Sequence, residues 1–137
     1  MFTTRTTYRT RYSDTDQMGV VYYGNYARFY EIGRTEMIRD MGYSYKELEE
    51  TGVFMPVAKV EANYKKPLYY DERITIETSL KKMPAARMEF FHTIYNEAGE
   101  VAHTAVVTLV FLSSQTNRPV RVPEYMINAL SKLSDLE

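Results

Sequence analysis

Residues 25–42 read NYARFYEIGRTEMIRDMG, and this stretch decides the fold. Aromatic, apolar or small residues recur along it at spacings of four, three, four and four, the period of one face of an α-helix. They are Tyr26, Tyr30, Gly33, Met37 and Met41. The charged residues Arg28, Glu31, Arg34 and Arg39 lie off this stripe. Because Gly42 suits the position after a helix, the pattern predicts a long helix over about residues 25–41.

Strand-like segments lie on both sides of this helix. Residues 3–12 are rich in Thr, Tyr and Arg, which suit a strand with one solvated face. Four further strands are predicted, with breakers between them, at residues 55–64, 73–82, 87–96 and 101–113. The more uniformly apolar residues 105–112 are the candidate for a central strand.

Turns and caps complete the predicted order. The residues Ser44-x-x-Glu47 form a capping box for a short second helix, Asn96-Glu-Ala-Gly99 closes a hairpin, and a last helix follows at about residues 124–133. This order predicts an α+β fold in a single domain over residues 1–137, an antiparallel sheet with one principal helix lying on it. Gly33 costs a helix about 1 kcal/mol relative to Ala, so it predicts a close approach of helix and sheet.

Composition excludes several classes of function. The chain has 137 residues, a formal net charge of −1 and no cysteine. Disulfides, thiolate metal sites and cysteine nucleophiles are therefore excluded, and a general nucleic-acid partner is not expected at this charge. The N-terminus lacks an apolar segment, and residues 105–112 are far shorter than the roughly 20 residues of a membrane helix. We therefore expect a cytoplasmic protein with no membrane partner.

Most familiar catalytic motifs are absent from the sequence. It has no Gly-x-Ser-x-Gly elbow, no phosphate-binding loop and no dinucleotide fingerprint. His92 and His103 both fall in predicted strands, where a hydrogen-bonded or exposed side chain is commoner than a metal ligand or a general base. No metal site is expected.

One segment, residues 14–26, reads DTDQMGVVYYGNY and suits acyl chemistry. A carboxylate precedes Gly19, where the chain can turn sharply, and the first amides of the long helix follow. Those N–H groups lack acceptors within the helix and lie at the positive end of its dipole. They can bind a developing oxyanion while the carboxylate attacks or activates water. Spacing alone leaves a second interpretation open, in which Asp14 and Asp16 cap a turn and the aromatic residues belong to the core.

The same segment resembles the signature of a known family. The pattern D-x-x-G-x-V-Y-Y-x-N-Y at residues 16–26, followed by FYE at 29–31 and RTE at 34–36, is similar to the 4-hydroxybenzoyl-CoA thioesterase-like hotdog family. It is most similar to the acyl-CoA thioester hydrolase branch. The similarity continues through residues 56–57 and 63–77 to the strand that ends near residue 111. The resemblance implies a hotdog fold, in which the sheet wraps around the long helix.

The resemblance also implies roles for three residues. Asp16 matches the catalytic carboxylate, which acts as nucleophile or general base. Tyr23 matches the residue whose backbone N–H polarises the thioester carbonyl, and Gly19 allows the turn that aims both. No cofactor is implied. Such proteins place the site between two subunits, so a homodimer is expected, often paired into a dimer-of-dimers tetramer.

Further residues are candidates for binding the substrate, an acyl-CoA. Because coenzyme A carries three phosphate groups, cations are expected beside it. The candidates are Val21, Tyr22, Met55 and Tyr64 at the acyl group, Lys65 and Arg87 at the phosphates, and Asn25. Residues 84–86 read PAA where the 4-hydroxybenzoyl-specific enzyme has a basic run, so that particular substrate is not implied.

Three other carboxylates compete with Asp16 for the catalytic role. The family's spacing to Gly19 selects Asp16 and leaves Asp14 a turn or supporting role. Glu31 and Glu36 lie on the long helix, where some hotdog thioesterases carry their carboxylate. A solvated helix face is the alternative explanation for both.

The predicted function is hydrolysis of an acyl-CoA thioester to a free acid and CoA. Two alternatives stay open at the level of the sequence: a thioesterase acting on acyl carrier protein, and a noncatalytic hotdog protein that binds acyl-CoA. The presence of Asp16 favours an enzyme, because a pure binder has no chemical need for a carboxylate beside the thioester.

Overall fold

The computed structural model describes residues 1–136, so residue 137 of the predicted domain lies outside the described residues. The elements are β1 (Phe2–Arg9), α1 (Tyr26–Asp40), α2 (Tyr45–Glu50), β2 (Val53–Phe54), β3 (Val57–Tyr64), β4 (Arg73–Leu80), β5 (Arg87–Tyr95), β6 (Val101–Val110), β7 (Leu112–Ser113) and α3 (Glu124–Leu133). Short 3₁₀ turns at Tyr12–Asp14 and Tyr23–Asn25 lead from β1 into α1. The predicted α+β class is confirmed.

Five strands form one antiparallel sheet in the order β1-β4-β5-β6-β3. The predicted hairpin joins β5 to β6: the Asn96 N–H donates to the Glu100 carbonyl over 2.9 Å, and Gly99 has a φ of +82°. Residues 105–110 belong to β6, an interior strand one place from the middle of the sheet. The remaining pair, β2 and β7, forms a separate two-stranded sheet.

The predicted stripe of α1 faces the sheet. Its aromatic and methionine residues are each at most 5% exposed. At Gly33 an added Cβ would lie 2.3 Å from Oγ1 of Thr78 and 3.0 Å from Cγ2 of Ile76. Since only a hydrogen atom fits between the helix and the two β4 side chains, the predicted close approach is confirmed.

Arg34 lies off the apolar stripe, as the spacing indicates, yet it is buried. Arg34 is 8% exposed and follows Gly33 at the closest approach of α1 to the sheet. The sheet therefore covers a wider arc of the helix than the apolar stripe alone indicates. The charge of Arg34 acts on the imidazole of His92, which lies on β5.

Four predicted strand ends also differ from the structure, and one of them is that of the strand expected over 73–82, which ends at Leu80. The strand expected over residues 55–64 begins at Val57, because Pro56 has no N–H to contribute to a ladder. The strand expected over 101–113 ends at Val110, and its last part becomes β7, which pairs with β2. The strand expected over 3–12 ends at Arg9, because the Thr10 N–H turns to the Glu72 carbonyl over 2.9 Å.

The two smaller helices agree with the prediction. Oγ of Ser44 accepts a hydrogen bond from the Glu47 N–H over 3.2 Å and so caps α2. The bounds of α3 are those expected from the sequence. No helix in the described part of the chain has the length and apolar character needed to cross a membrane.

Candidate active site

The loop between β1 and α1 folds back on itself in a tight turn. Thr15 and Val21 form an antiparallel bridge across it. Inside the turn the Asp16 N–H donates to the Val20 carbonyl over 2.9 Å, and the Gly19 N–H donates to the Asp16 carbonyl over 3.0 Å. Gly19 has a φ of +80°, in the left-handed region that favours glycine. The loop thus holds Asp16 at the base of a turn that depends on Gly19.

The Asp16 carboxylate is partly exposed and has no cationic partner. Its Oδ1 accepts a hydrogen bond from the Met18 N–H over 2.8 Å. No ion pair found among residues 1–136 includes Asp16. Together with Tyr12, Gly19 and Tyr70 it borders a surface groove of about 510 Å³. A carboxylate held by one backbone N–H and otherwise unpaired is suited to attack a carbonyl or to accept a proton from water.

Free amides begin the 3₁₀ turn at the start of α1. Within residues 1–136 the N–H groups of Tyr23 and Gly24 donate to no backbone carbonyl. They lie at the positive end of the α1 dipole, where an oxyanion is stabilised. Glycine at position 24 also leaves room for the Tyr22 ring, since an added Cβ would lie 2.6 Å from that ring. Gly24 is not among the predicted site residues, and a glycine placed just before the first helical turn was the signal that could have found it.

A second groove borders the Tyr23 side of the same loop. It has a volume of about 260 Å³, and its lining includes Val21, Tyr23, Tyr64 and Lys65. The Tyr64 hydroxyl donates to the Tyr23 carbonyl over 3.3 Å. Three of the substrate-binding candidates therefore gather beside Tyr23. Asp16 borders the other groove, and among residues 1–136 none lines both grooves, although one loop carries Asp16 and Tyr23.

Two more candidates, Tyr22 and Asn25, lie in the same segment. The Tyr22 ring is 4.8 Å from the Tyr23 ring. The side-chain hydrogen bond with Tyr23 raises the pKa of Tyr22 above its usual value, and the negative charges of ionised Tyr23 and Asp16 act in the same direction. Nδ2 of Asn25 donates to the Asp14 carbonyl over 2.8 Å. Asn25 thus binds the loop through its amide.

The last two candidates lie away from both grooves. Met55 is partly buried and packs against the core between β2 and β3. Arg87 begins β5 and borders a separate groove of about 680 Å³, together with Lys59 and Lys82. Lys59 pairs with Glu61 and Lys82 with Glu89 in that groove. The structure therefore does not bring Met55 or Arg87 to Asp16 within one chain.

The two histidines lie beneath α1 rather than at the loop. Nε2 of His103 is 2.5 Å from the Tyr30 hydroxyl, and Nδ1 of His92 is 3.1 Å from the Thr78 hydroxyl. Burial lowers the pKa of His92 to about 3 and that of His103 to about 4, so both rings are neutral at pH 7. Their interpretation as hydrogen-bonded strand residues is confirmed.

The two glutamates of α1 lie on its solvated side. Glu31 is exposed, and Glu36 accepts a hydrogen bond from Arg39 over 2.5 Å, one turn further along the helix. These positions fit the solvated helix face that the sequence allowed for both residues.

An antiparallel sheet packed against one long helix, in this order of elements, is the hotdog fold. Residues 10–130 match the thioesterase-like superfamily. The chain belongs to this superfamily, which confirms the predicted hotdog family and the enzyme class, a thioester hydrolase.

Individual relatives agree with this assignment. The chain is 36% identical over 111 residues to a putative acyl-CoA thioesterase, YneP, of Bacillus subtilis, covering 81% of this chain and 80% of the relative. It is 31% identical over 119 residues to the acyl-CoA thioester hydrolase YbgC of Escherichia coli O6:H1, covering 87% and 89%. The crystal structure of a DHNA-CoA thioesterase from Staphylococcus aureus superposes with a TM-score of 0.90 at 36% identity, covering 96% of this chain and 91% of that one.

Proposed function

We propose that this protein hydrolyses acyl-CoA thioesters, with Asp16 as the catalytic carboxylate and the N–H groups at the start of α1 as the oxyanion donors. The observation that carries the proposal is the loop itself. It joins an unpaired carboxylate, a turn at Gly19 and the unbonded amides of Tyr23 and Gly24 within nine residues of a thioesterase-superfamily chain. The named activities of the similar proteins support the same substrate class.

The chemistry follows from the charges at this loop. The thioester carbonyl oxygen gains negative charge as its carbon becomes tetrahedral, and the Tyr23 N–H stabilises that charge. In the general-base route Asp16 takes a proton from water, the water oxygen bonds to the acyl carbon, and the CoA thiolate leaves and is protonated. In the nucleophilic route Asp16 forms a mixed anhydride as the thiolate leaves, and water then hydrolyses it. Both routes end in a free acid, CoA and a regenerated carboxylate.

Substrate contacts are assigned by extension from the two grooves. We assign the acyl group to the groove that Val21 and Tyr64 border beside Tyr23, with Tyr22 at its exposed rim, and a CoA phosphate to Lys65. Asn25 stabilises the loop, because its side-chain amide donates a hydrogen bond to the Asp14 carbonyl. Met55 and Arg87 lie outside these grooves, and a second subunit is needed to bring them, or their copies, to the substrate.

A homodimer with a shared site fits the exposed edge of the sheet. The outer edge of β3 pairs with no strand of residues 1–136. Val60 and Tyr64 stand opposite the buried residues Val107 and His103, yet they are 47% and 53% exposed. An open edge strand that exposes these two side chains calls for a cover, and a second copy placed there would stand beside Tyr23. We propose this dimer, or a dimer of such dimers, in the cytoplasm.

The proposal is tested by thiol release from a panel of aliphatic and aromatic acyl-CoAs and acyl carrier protein thioesters. A thiol-reactive dye suits this assay, because the protein has no cysteine. We expect turnover of at least one CoA ester with saturation. Turnover of carrier-protein esters alone would replace the proposed substrate. Binding of acyl-CoA without any release would identify a noncatalytic protein.

A further inference from the structure

The Asp14 carboxylate is buried where β1 and α1 meet the loop that joins them, residues 10–25. Its side chain is 0% exposed. One oxygen, Oδ2, accepts hydrogen bonds from the Tyr8 hydroxyl over 2.9 Å and from the Arg11 N–H over 2.7 Å. The other oxygen, Oδ1, forms an ion pair with Arg28 of α1. Burying a charge so fully is costly unless it is paired and hydrogen-bonded, and these contacts meet that need.

The backbone of Asp14 holds the far side of the loop. Its carbonyl accepts the Tyr22 N–H over 2.9 Å and Nδ2 of Asn25 over 2.8 Å. Asp14 is therefore bonded through its side chain to β1 and α1. Its backbone carbonyl is bonded to Tyr22 and Asn25, which flank Tyr23 and Gly24. No other residue of the loop joins all three elements in the contacts described for residues 1–136.

These contacts fix the two groups that the proposed chemistry needs. Asp16 follows Asp14 by two residues, and Tyr23 follows Tyr22, whose N–H the Asp14 carbonyl holds. We therefore expect a change in the orientation of Asp14 to move the Asp16 carboxylate and the Tyr23 N–H relative to each other. Misplacement of reacting groups by about 1 Å can cost about 100-fold in rate.

We propose that Asp14 is a positioning residue for hydrolysis: its buried carboxylate sets the distance and angle between the Asp16 carboxylate and the Tyr23 N–H. This inference rests on the proposed function. Arg28 and Tyr8 act with it, because their side chains meet both the Asp14 carboxylate and each other, with Nη1 of Arg28 3.0 Å from the Tyr8 hydroxyl.

The test compares Asp14→Asn with Arg5→Gln. Arg5 lies on the same strand and pairs with Glu77 on the outer face of the sheet, 2.6 Å away, so its substitution removes an ion pair without touching the loop. We expect kcat of Asp14→Asn to fall about 10- to 100-fold. The Kd for a nonhydrolysable acyl-CoA thioether should change less than about threefold. Arg5→Gln should leave both values unchanged.

A purely structural role gives a different pattern. If Asp14→Asn only lowers stability, kcat per folded molecule and ligand Kd stay at the wild-type values below the Tm, and the inference is overturned. Equal losses of kcat and of ligand affinity also contradict it. Wild-type turnover in the same assay separates these outcomes from a failure of the proposed function itself.

Tyr8→Phe covers the case in which Asp14→Asn does not fold. It removes one hydroxyl from Asp14 but keeps the ring, which packs 5.5 Å from Phe29. We expect a smaller fall in kcat, about 3- to 10-fold, with Kd unchanged. Wild-type kcat in a folded Tyr8→Phe protein, together with an Asp14→Asn protein that cannot fold, would assign Asp14 to stability alone.

Discussion

Gly19 and Gly99 have nearly the same backbone conformation but different neighbourhoods. Their φ angles are +80° and +82°, and an added Cβ meets no atom within 4 Å at either position. Gly19 lies in the loop between β1 and α1 that carries Asp16, whereas Gly99 lies in the hairpin between β5 and β6. The two residues therefore separate the cost of backbone strain from an effect on the site.

We predict that Gly19→Ala and Gly99→Ala lose similar stability, about 1 kcal/mol each, because alanine is strained at positive φ. Only Gly19→Ala should lose activity, by about tenfold or more, because its loop aims Asp16. Chemical denaturation and thiol release on both variants measure this. Equal activity of the two variants would show that the Gly19 turn has no part in catalysis.

Neighbouring side chains, rather than backbone conformation, restrict position 33 to glycine. An added Cβ would lie 2.3 Å from Oγ1 of Thr78, a hydroxyl that also pairs with His92. We predict that Gly33→Ala is destabilising by about 1–3 kcal/mol despite the better helix propensity of alanine. Ala27→Gly, at an exposed position of α1, should cost about 1 kcal/mol by propensity alone. A Gly33→Ala protein as stable as the wild type in urea would contradict the packing described here.

At the scale of elements, α1 and the sheet enclose a polar cluster of His92, His103, Tyr30 and the neighbouring Arg34. The folded pKa values of about 3 for His92 and about 4 for His103 lie below the unfolded value of 6.5. The unfolded chain therefore binds more protons at mildly acidic pH. Stability from the neutral rings is full above about pH 6.5 and is lost as the pH falls toward 4 and 3.

We predict that the free energy of unfolding decreases from pH 7 to pH 5, on the order of 2 kcal/mol for His92 alone. Most carboxylates ionise below this window, so the change reports the histidines. Urea titrations at the two pH values measure it, with His92→Leu expected to reduce the pH dependence. A wild-type stability that is the same at pH 7 and pH 5 would show that the rings are not held neutral.

The sequence periodicity predicts individual helices and strands, but it does not predict how they pack or pair with one another. The bounds of α1 and α3 follow from apolar spacing and from glycine and proline signals to within one residue. Alternation predicts β4 from Arg73 onward, but the strand ends at Leu80, two residues earlier than expected. Alternation does not reveal that the sheet covers Arg34. Nor does it reveal that the chain leaves the five-stranded sheet after Val110, so that Leu112–Ser113 pairs with β2.

The site shows the same division. Local spacing predicts the turn at Gly19 and the helix start near Tyr23, because both are local features. The catalytic role of Asp16 comes from the family resemblance and stays a prediction. Arg87 stands on the outer side of the sheet, and its distance from the loop depends on strand order, which residue types do not encode. The role of the Asp14 network likewise depends on Tyr8 and Arg28 meeting in space.

At the scale of the whole molecule, the uncovered edge of β3 predicts self-association. We expect Val60→Glu to weaken the proposed dimer, because it places charges in an apolar contact around the two-fold axis. Leu133→Glu on α3 is the matched control, since both side chains are 47% exposed. Light scattering coupled to size exclusion measures the mass. A wild-type protein that is monomeric at assay concentration, and active, would contradict a site shared between subunits.

If Asp16 performs the chemistry, kcat of Asp16→Asn on the best acyl-CoA of the panel must show it. Asp40→Asn, which changes an exposed carboxylate at the far end of α1, is its control. We predict a loss of about 10²- to 10⁴-fold for Asp16→Asn, with no change in Tm, and wild-type turnover for Asp40→Asn. Wild-type kcat in a folded Asp16→Asn protein would contradict the account and place the catalytic group elsewhere.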